Sequence, residues 1–273
     1  MWKPFPPPLV PGLDKASPYT AKRFYTTNLL DLVRDKMGLI SLYRERLGIS
    51  APELAIKFVI KDIDYPFNLL GMPDDSHYLV AYGGNVVYSV LLDYWAADYE
   101  TLLSYLVNRK IGRHGYGDCE DTSILLGSLL RALGIKYWVV FGVVYKGSML
   151  LGGHAWVIAD LPFQGWSLLE TTLDQMPPYP EGFPKINPDR NVYTVGDLVY
   201  VGMLRFNHEE YQEWVKEGEP ETEIHRRFKD YLSIPREQKE NVIKYRAIAF
   251  AWGIDAKPLT RLPPQVAEEG GIW

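Results

Sequence analysis

The chain has 273 residues, of which 47% are hydrophobic and 23% are charged, and its formal net charge is −5. These values are typical of a globular protein and exclude a disordered or fibrous chain. The small, mixed charge predicts no affinity for nucleic acid or for an anionic membrane surface. The length predicts one large domain, or one domain with appendages.

The sequence contains a single cysteine, Cys119. One cysteine excludes an intramolecular disulfide framework and a zinc site built from several thiolates. The first residues lack the apolar core of a secretory signal, and no apolar run is long enough to span a bilayer. We therefore expect a cytoplasmic protein. The sequence says nothing about its oligomeric state.

The N-terminal part of the chain divides into a proline-rich arm and a helical extension. Residues 1–19 carry many prolines and predict an extended arm. Apolar residues recur at helical spacing over 26–46, and a second helix is predicted to begin at Ser50, three residues before Glu53, as in a capping box. Residues 20–75 are therefore predicted to form a helical extension.

The middle of the chain predicts a helix followed by three strands, within a core of residues 76–200. The β-branched stretch 80–92 favours a strand, although periodicity alone also allows a helix up to 107. The later pattern is clearer, and it places a helix over 120–133 and strands over 135–145, 153–160 and 166–172.

Beyond this core, the sequence predicts a loop and a helical tail. The loop, 176–189, is rich in proline and is long enough to be functional. Apolar residues return to helical spacing over 206–253, with Trp214 among the expected core residues, and residues 201–273 are predicted to form a C-terminal helical extension. The whole chain is expected to pack as one unit.

Cys119 lies at a predicted helix start. Asp118 is a good N-cap, and Asp121 three residues later completes a carboxylate version of the capping box. A helix N-terminus favours the thiolate, which is the nucleophilic form of cysteine, whereas the flanking carboxylates disfavour it. An active Cys119 therefore needs a cationic partner. The alternative is an inert cysteine that packs the buried side of a helix.

His154 and Glu170 are the candidate partners. A hairpin centred on Phe163 places Thr172 opposite His154 and makes Glu170 a diagonal neighbour, within reach of a long side chain. Cys119, His154 and Glu170 would then supply a nucleophile, a base and a group that orients the base.

These motifs resemble the transglutaminase-like superfamily, whose microbial members are similar to papain-type cysteine peptidases. The resemblance covers roughly residues 85–175 and is carried by Gly-Asp-Cys-Glu-Asp, by His-Ala-Trp-Val and by Gly-Trp followed by an acidic residue and threonine. It implies an α+β fold with a papain/transglutaminase-like core, in which a nucleophile-bearing helix packs on an antiparallel sheet, with extra helices at both ends. Members usually carry Asp where this chain has Glu170.

The resemblance implies a cysteine-dependent acyl-transfer enzyme without cofactor or metal. Hydrolysis of peptide or isopeptide bonds through a thioester is the expected reaction, with a peptide, a protein or a small amide as substrate. Transfer of a glutamine side chain to an amine would use the same residues. The backbone N–H of Cys119 is one expected oxyanion donor, and Trp95, Tyr88 and Trp156 are candidates for a second donor or for supporting contacts.

Three alternatives remain open from the sequence. His114, five residues before Cys119, could act as the base, although its closeness to Cys119 in sequence does not give it a group that orients the ring. Asp118 and Asp121 with His114 and His154 could bind a metal, although no metal-site spacing supports this. The fold could also serve as a non-catalytic module that binds a peptide or a protein.

Overall fold

The computed structural model describes residues 1–7, 9–11, 25–65, 75–82, 85–92 and 95–216. Side chains are described at 1–7, 28–65 and 95–216. Within these residues the α-helices are α1 (Leu39–Arg46), α2 (Pro52–Asp62), α3 (Asp98–Asn108) and α4 (Cys119–Ala132). Short 3₁₀ helices span Leu29–Val33 and Arg109–Ile111.

Thirteen strands lie in the described part of the chain, and most of them join one sheet. The first seven are β1 (Trp2–Pro4), β2 (Leu9–Pro11), β3 (Tyr25–Asn28), β4 (Ile63–Asp64), β5 (Asp75–Tyr82), β6 (Asn85–Leu92) and β7 (Gly115–Tyr116). The last six are β8 (Tyr137–Lys146), β9 (Met149–Leu161), β10 (Gly165–Leu169), β11 (Val192–Val195), β12 (Leu198–Phe206) and β13 (Tyr211–Trp214).

The central sheet is antiparallel and has the strand order β1-β13-β12-β8-β9-β10, with β11 beside β12. Helix α4 packs on β8 and β9. Gly127 permits this close approach, because an added Cβ would lie 2.8 Å from the ring of Tyr137. The predicted α+β class, with a helix that begins at Cys119 packed on an antiparallel sheet, is confirmed.

The N-terminal helices differ in detail from the prediction. The helical pattern over 26–46 is broken into a 3₁₀ helix and α1, because Asp35 and Gly38 adopt positive φ angles of 50° and 66°. The predicted cap at Ser50 is wrong. Ala51 is the N-cap of α2 and makes no side-chain cap, because Pro52, with its fixed φ, takes the first position of the helix.

The segment before α3 resolves the ambiguity between strand and helix. Strands β5 and β6 pair as an antiparallel hairpin, so the β-branched stretch up to Leu92 is extended. Helix α3 then accounts for the helical pattern that reaches 107. At the N-terminus, β1 extends the central sheet by pairing with β13.

The helical prediction for the start of the C-terminal extension is wrong. Residues 198–206 and 211–214 form β12 and β13 of the central sheet, so a core boundary at residue 200 would cut β12. Burial alternates along the first six residues of β12, which is the period of a half-buried strand and not of a helix. Trp214 lies in β13, opposite Trp2. Residues 217–273 lie outside the described residues.

Among the residues that the structure describes, no helix is both long enough and apolar enough to cross a membrane.

Candidate active site

The start of helix α4 is fixed by the two carboxylates that the sequence singles out. The Asp118 side chain accepts a hydrogen bond from the Asp121 amide, and the Asp121 side chain accepts one from the Asp118 amide, each at 3.4 Å. The predicted capping box is therefore correct, and Cys119 is the first residue of the helix. The backbone at Cys119 is thus held by its own helix cap.

Asp121 also holds the chain segment that precedes α3. Its Oδ1 atom accepts a hydrogen bond of 2.8 Å from the Ala96 amide. Complete burial, together with the neighbouring Glu120 carboxylate, raises the pKa of Asp121 well above its usual range. The adjacent residue, Trp95, is buried and makes an edge-to-face contact with Phe141. This hydrogen bond therefore brings the Trp95 segment to the first turn of α4.

His154 and Glu170 meet as the hairpin register predicts. Leu169 lies opposite Val157, the predicted register, although β10 ends there and Glu170 follows it. His154 Nε2 lies 2.8 Å from Glu170 Oε2, and both side chains are buried. A carboxylate only accepts, so Nε2 donates and, in the neutral ring, Nδ1 keeps its lone pair. Nδ1 is buried and has no hydrogen-bond partner among the described residues.

The Glu170 carboxylate is surrounded by hydrogen-bond donors. Its Oε1 atom accepts from the amide of Thr172 at 3.1 Å and from the Thr172 hydroxyl at 2.8 Å. Its Oε2 atom accepts from the Tyr200 hydroxyl at 3.1 Å, beside the bond from His154. Burial acts to raise the pKa of Glu170, but the charge and hydrogen bond of His154 and the bonds from Thr172 together lower it. Glu170 is therefore held as a carboxylate.

Buried hydroxyls join the Glu170 segment to the first turn of α4. The Thr122 hydroxyl donates to the Asp118 carbonyl at 2.6 Å, and the Thr171 hydroxyl oxygen lies 2.8 Å from the Thr122 hydroxyl oxygen. Because the single proton of Thr122 is directed to Asp118, Thr171 donates to Thr122. Consecutive residues, Glu170 and Thr171, thus contact the imidazole on β9 and the helix that begins with Cys119.

The Cys119 thiol itself is buried, with 5% of the residue exposed. Its Sγ atom donates to Glu120 Oε2 at 2.9 Å. This carboxylate disfavours a thiolate at Cys119, as the sequence indicates for the flanking acidic residues, so ionisation of the thiol depends on a nearby cation.

Of the other predicted site residues, Trp156 is completely buried, and the side chain of Tyr88 on β6 lies outside the described side chains. The Trp156 ring stacks at 6.3 Å from His154 and packs edge-on at 5.2 Å against Tyr200. Its Nε1 atom has no hydrogen-bond partner among the described residues. Trp156 therefore supports the imidazole from within the core in this structure.

His114 contacts a different carboxylate from His154. Its Nδ1 atom lies 3.0 Å from Asp64 Oδ1, so a carboxylate that is distant in sequence orients His114. Asp64 also accepts, through its carbonyl, a hydrogen bond of 3.2 Å from the Gly117 amide. Asp64 ends β4 and His114 directly precedes β7, and the pairing of these two strands supports the loop that leads into α4. The described residues contain no group of three or more His, Cys, Asp or Glu side chains suited to a metal ion.

Sequence reasoning missed the residues that surround the predicted pair. Tyr200 and Thr172 contact Glu170, and Thr171 contacts helix α4, yet the sequence motifs assign none of these contacts. The Glu-Thr-Thr run that begins with the acid directly follows β10, and this run was an available signal. The alternating pattern of β12 would have placed Tyr200 on a strand. It would not have shown that a single strand, β8, separates this strand from β9, which carries His154.

Two solved structures resemble this chain weakly. One is described as "a Putative Cysteine Protease from Cytophaga hutchinsonii", with 16% identity and a TM-score of 0.32 over 52% of this chain and 39% of the other. The second is Legionella pneumophila LapG (EGTA-treated), with 15% identity and a TM-score of 0.33 over 75% of this chain and 83% of the other. Both TM-scores are too low to bear on the activity of this protein. No curated protein matches the sequence.

The family comparison covers the segment that contains the candidate site. Residues 84–171 match the model of the transglutaminase-like superfamily, and this range includes Cys119, His154 and Glu170. The match supports a cysteine-dependent enzyme family without specifying the reaction or the substrate. The resemblance to the transglutaminase-like superfamily that the sequence motifs predict is therefore confirmed over residues 84–171.

Proposed function

We propose that the protein is a cysteine-dependent acyl-transfer enzyme that hydrolyses peptide or isopeptide bonds through a thioester on Cys119. The observation that carries the proposal is the buried His154–Glu170 pair, whose geometry leaves Nδ1 of the imidazole without a partner among the described residues. A base that is oriented on one side and free on the other matches what a thiol nucleophile requires.

In the proposed reaction, the proton on Cys119 Sγ leaves its hydrogen bond to Glu120 and passes to His154 Nδ1, and the resulting Cys119 thiolate attacks the carbonyl carbon of the substrate. The C–N bond then breaks, and the proton on Nδ1 passes to the departing nitrogen. His154 next removes a proton from water, which attacks the thioester and releases a carboxylic acid. Cys119 leaves as a thiolate and regains its proton from His154.

Glu170 orients the imidazole of His154 and stabilises its protonated form. Its lowered pKa keeps it negative, and the negative charge stabilises the imidazolium that forms when His154 accepts the thiol proton. This imidazolium supplies the cation that offsets Glu120 beside the thiol. The helix N-terminus at Cys119 adds a partial positive charge and a backbone N–H donor for the oxyanion.

The single cysteine makes alkylation a direct test of the proposal, because every alkylated thiol is Cys119. We expect iodoacetamide to react with the native protein at about pH 6, well below the ordinary thiol pKa of about 8.5. His154→Ala should abolish this low-pH reaction, whereas His208→Ala, on the loop between β12 and β13, should leave it unchanged. Reaction only above about pH 8 would contradict an activated nucleophile.

The same assay and a cleavage assay separate the alternatives. Loss of the low-pH reaction in His114→Ala, but not in His154→Ala, would assign the base to His114. Cleavage of a peptide library, followed by mass spectrometry, tests hydrolysis against Cys119→Ala. Incorporation of a fluorescent primary amine in preference to water would identify an amine transferase. An unactivated thiol together with no cleavage would contradict catalysis and favour the non-catalytic module.

A further inference from the structure

Tyr200 lies at the centre of the candidate site without belonging to any motif of the sequence. It is completely buried on β12, and its hydroxyl donates to Glu170 Oε2 at 3.1 Å. Its ring centroid lies 6.3 Å from that of His154 and 5.2 Å from that of Trp156. Tyr200 thus contacts the acid, the imidazole and the aromatic residue that supports the imidazole.

The sheet register explains how Tyr200 reaches across a strand. Strand β8 lies between β12 and β9, with Tyr200 opposite Val144 and His154 opposite Gly142. Positions two apart on a strand share a face, so Tyr200 and His154 lie on the same face of the sheet. No side chain stands at Gly142, and none would fit there, because a Cβ would lie 2.0 Å from the Val201 carbonyl oxygen.

Tyr200 completes the set of donors that fixes the Glu170 carboxylate. Thr172 supplies two hydrogen bonds to Oε1, and His154 with Tyr200 supplies two to Oε2. With two donors on each oxygen, the carboxylate is held in one orientation, and hydrogen bonds to its charged form keep it ionised. Without the Tyr200 hydroxyl, Oε2 would be held by His154 alone.

We propose that Tyr200 is a positioning residue, whose hydroxyl fixes the ionised Glu170 carboxylate so that Glu170 holds His154 with Nδ1 directed away from it. This inference rests on the proposed function, because it assigns Tyr200 to the orienting side of that same site. In this role Tyr200 acts through Glu170 and His154.

The test is the pH dependence of Cys119 alkylation by iodoacetamide in Tyr200→Phe. This variant keeps the buried ring and removes one hydrogen bond to a charged group, so we expect the rate at about pH 6 to fall about tenfold. Reaction above about pH 9, where the thiol ionises without help, should stay within about twofold of the parent protein. A variant that was merely less well folded would gain reactivity as its thiol became exposed.

The matched control is Tyr193→Phe. Tyr193 is a buried tyrosine of the neighbouring strand β11, and its hydroxyl donates to the Arg190 carbonyl and not to the site. This control should leave the alkylation profile unchanged. A similar fall in both variants would overturn the proposal, because it would show a general effect of losing a buried hydroxyl.

A double variant and a spectroscopic measurement complete the test. In Glu170→Gln, adding Tyr200→Phe should lower the rate by less than about twofold, because the two residues act as one unit. In ¹⁵N-histidine spectra, Tyr200→Phe should shift the His154 resonances, assigned with His154→Gln, while Tyr193→Phe should not.

The outcomes distinguish the two proposals. If parent Cys119 lacks a His154-dependent reaction at low pH, the proposed function fails and the role of Tyr200 fails with it. If that reaction is present but Tyr200→Phe leaves both the rate and the His154 resonances unchanged, the proposed function stands and the assignment of Tyr200 is wrong.

Discussion

At the scale of single residues, the length of Glu170 is the main departure from the family pattern, which usually has Asp at this position. The longer side chain spans from the end of β10 to the imidazole at 2.8 Å while Thr172 holds its other oxygen. Its reach therefore lets the acid lie beyond the paired part of the strand, which ends at Leu169.

Glu170→Gln is expected to weaken the activation of Cys119. The variant keeps the volume of the side chain but removes the charge that stabilises the imidazolium, so alkylation at about pH 6 should fall ten- to hundredfold, the equivalent of about 1.4–2.8 kcal/mol. The alkylation rate is measured by quenching the reaction at successive times and determining the intact mass of the protein.

Glu213→Gln is the matched control for this change. Glu213 is also buried, and it accepts a hydrogen bond of 2.6 Å from Tyr211 on β13. Replacing this carboxylate by the Gln amide should leave the alkylation rate of Cys119 unaltered. An equal loss in both variants would show that a buried Gln disturbs the core as a whole, and Glu170 would then have no special part in the site.

Asp98 carries a separate prediction about stability. It is fully buried on α3, where Ser128 of α4 donates to it at 2.6 Å, and burial raises its pKa to about 6. At pH values between the ordinary aspartate pKa of about 4 and this raised pKa, Asp98 is protonated in the folded chain and ionised in the unfolded chain. The free energy of unfolding therefore falls as the pH rises through this range.

Asp98→Asn removes that pH dependence. Relative to the parent protein, the variant should therefore gain up to about 3 kcal/mol in free energy of unfolding between about pH 4 and pH 7. Urea unfolding at both pH values measures this difference. Asp197→Asn, a change at an exposed residue that pairs with Lys146, should show no comparable trend. If the difference in free energy of unfolding between Asp98→Asn and the parent protein is the same at both pH values, the pKa of Asp98 lies near the ordinary value.

At the scale of secondary-structure elements, local signals predicted the site and missed the sheet around it. The cap at Asp118 and the turn at Phe163 depend on neighbours along the chain, and they placed α4 and the β9–β10 register correctly. The place of β12 beside β8 depends on residues about sixty positions apart, and no local pattern records such a pairing. Tyr200 was therefore out of reach of sequence reasoning.

Thr171→Val tests the connection between α4 and the chain that follows β10. The change is nearly isosteric and removes the hydroxyl that lies 2.8 Å from Thr122 and 3.3 Å from Ser123. Leaving these buried hydroxyls without that partner should cost about 1–3 kcal/mol of stability. The low-pH alkylation of Cys119 should also fall, because the helix start would no longer be tied to the Glu170 segment.

Thr194→Val is the control for that variant, since Thr194 is exposed on β11. Its free energy of unfolding should change by less than about 0.5 kcal/mol. If Thr171→Val loses stability but keeps the full alkylation rate, the hydroxyl pair serves the fold alone and does not position the nucleophile.

At the scale of the whole molecule, the central sheet joins the two ends of the described chain. Strand β1 pairs with β13, and the N-terminal amine donates to the Val215 carbonyl at 2.8 Å. The guanidinium of Arg205 lies 4.5 Å from the Trp2 ring centroid and 4.3 Å from that of Trp138. Burial lowers the pKa of Arg205 to about 10, so it remains charged at neutral pH. The first residues are therefore part of the core architecture.

Because β1 and β10 lie at opposite edges of the sheet, stability and site chemistry can be separated by one substitution. Trp2→Ala removes the contact with Arg205 and an edge-to-face contact of 5.3 Å with Trp214, which should cost about 2–3 kcal/mol. The alkylation profile of Cys119 should stay unchanged in this variant.

Phe163→Ala, at the exposed β9–β10 turn, is the control and should alter stability by less than about 0.5 kcal/mol. A Trp2→Ala variant with full stability would show that the Trp2 side chain contributes nothing to the stability of the sheet. A variant with altered alkylation would show that the two edges of the sheet are coupled.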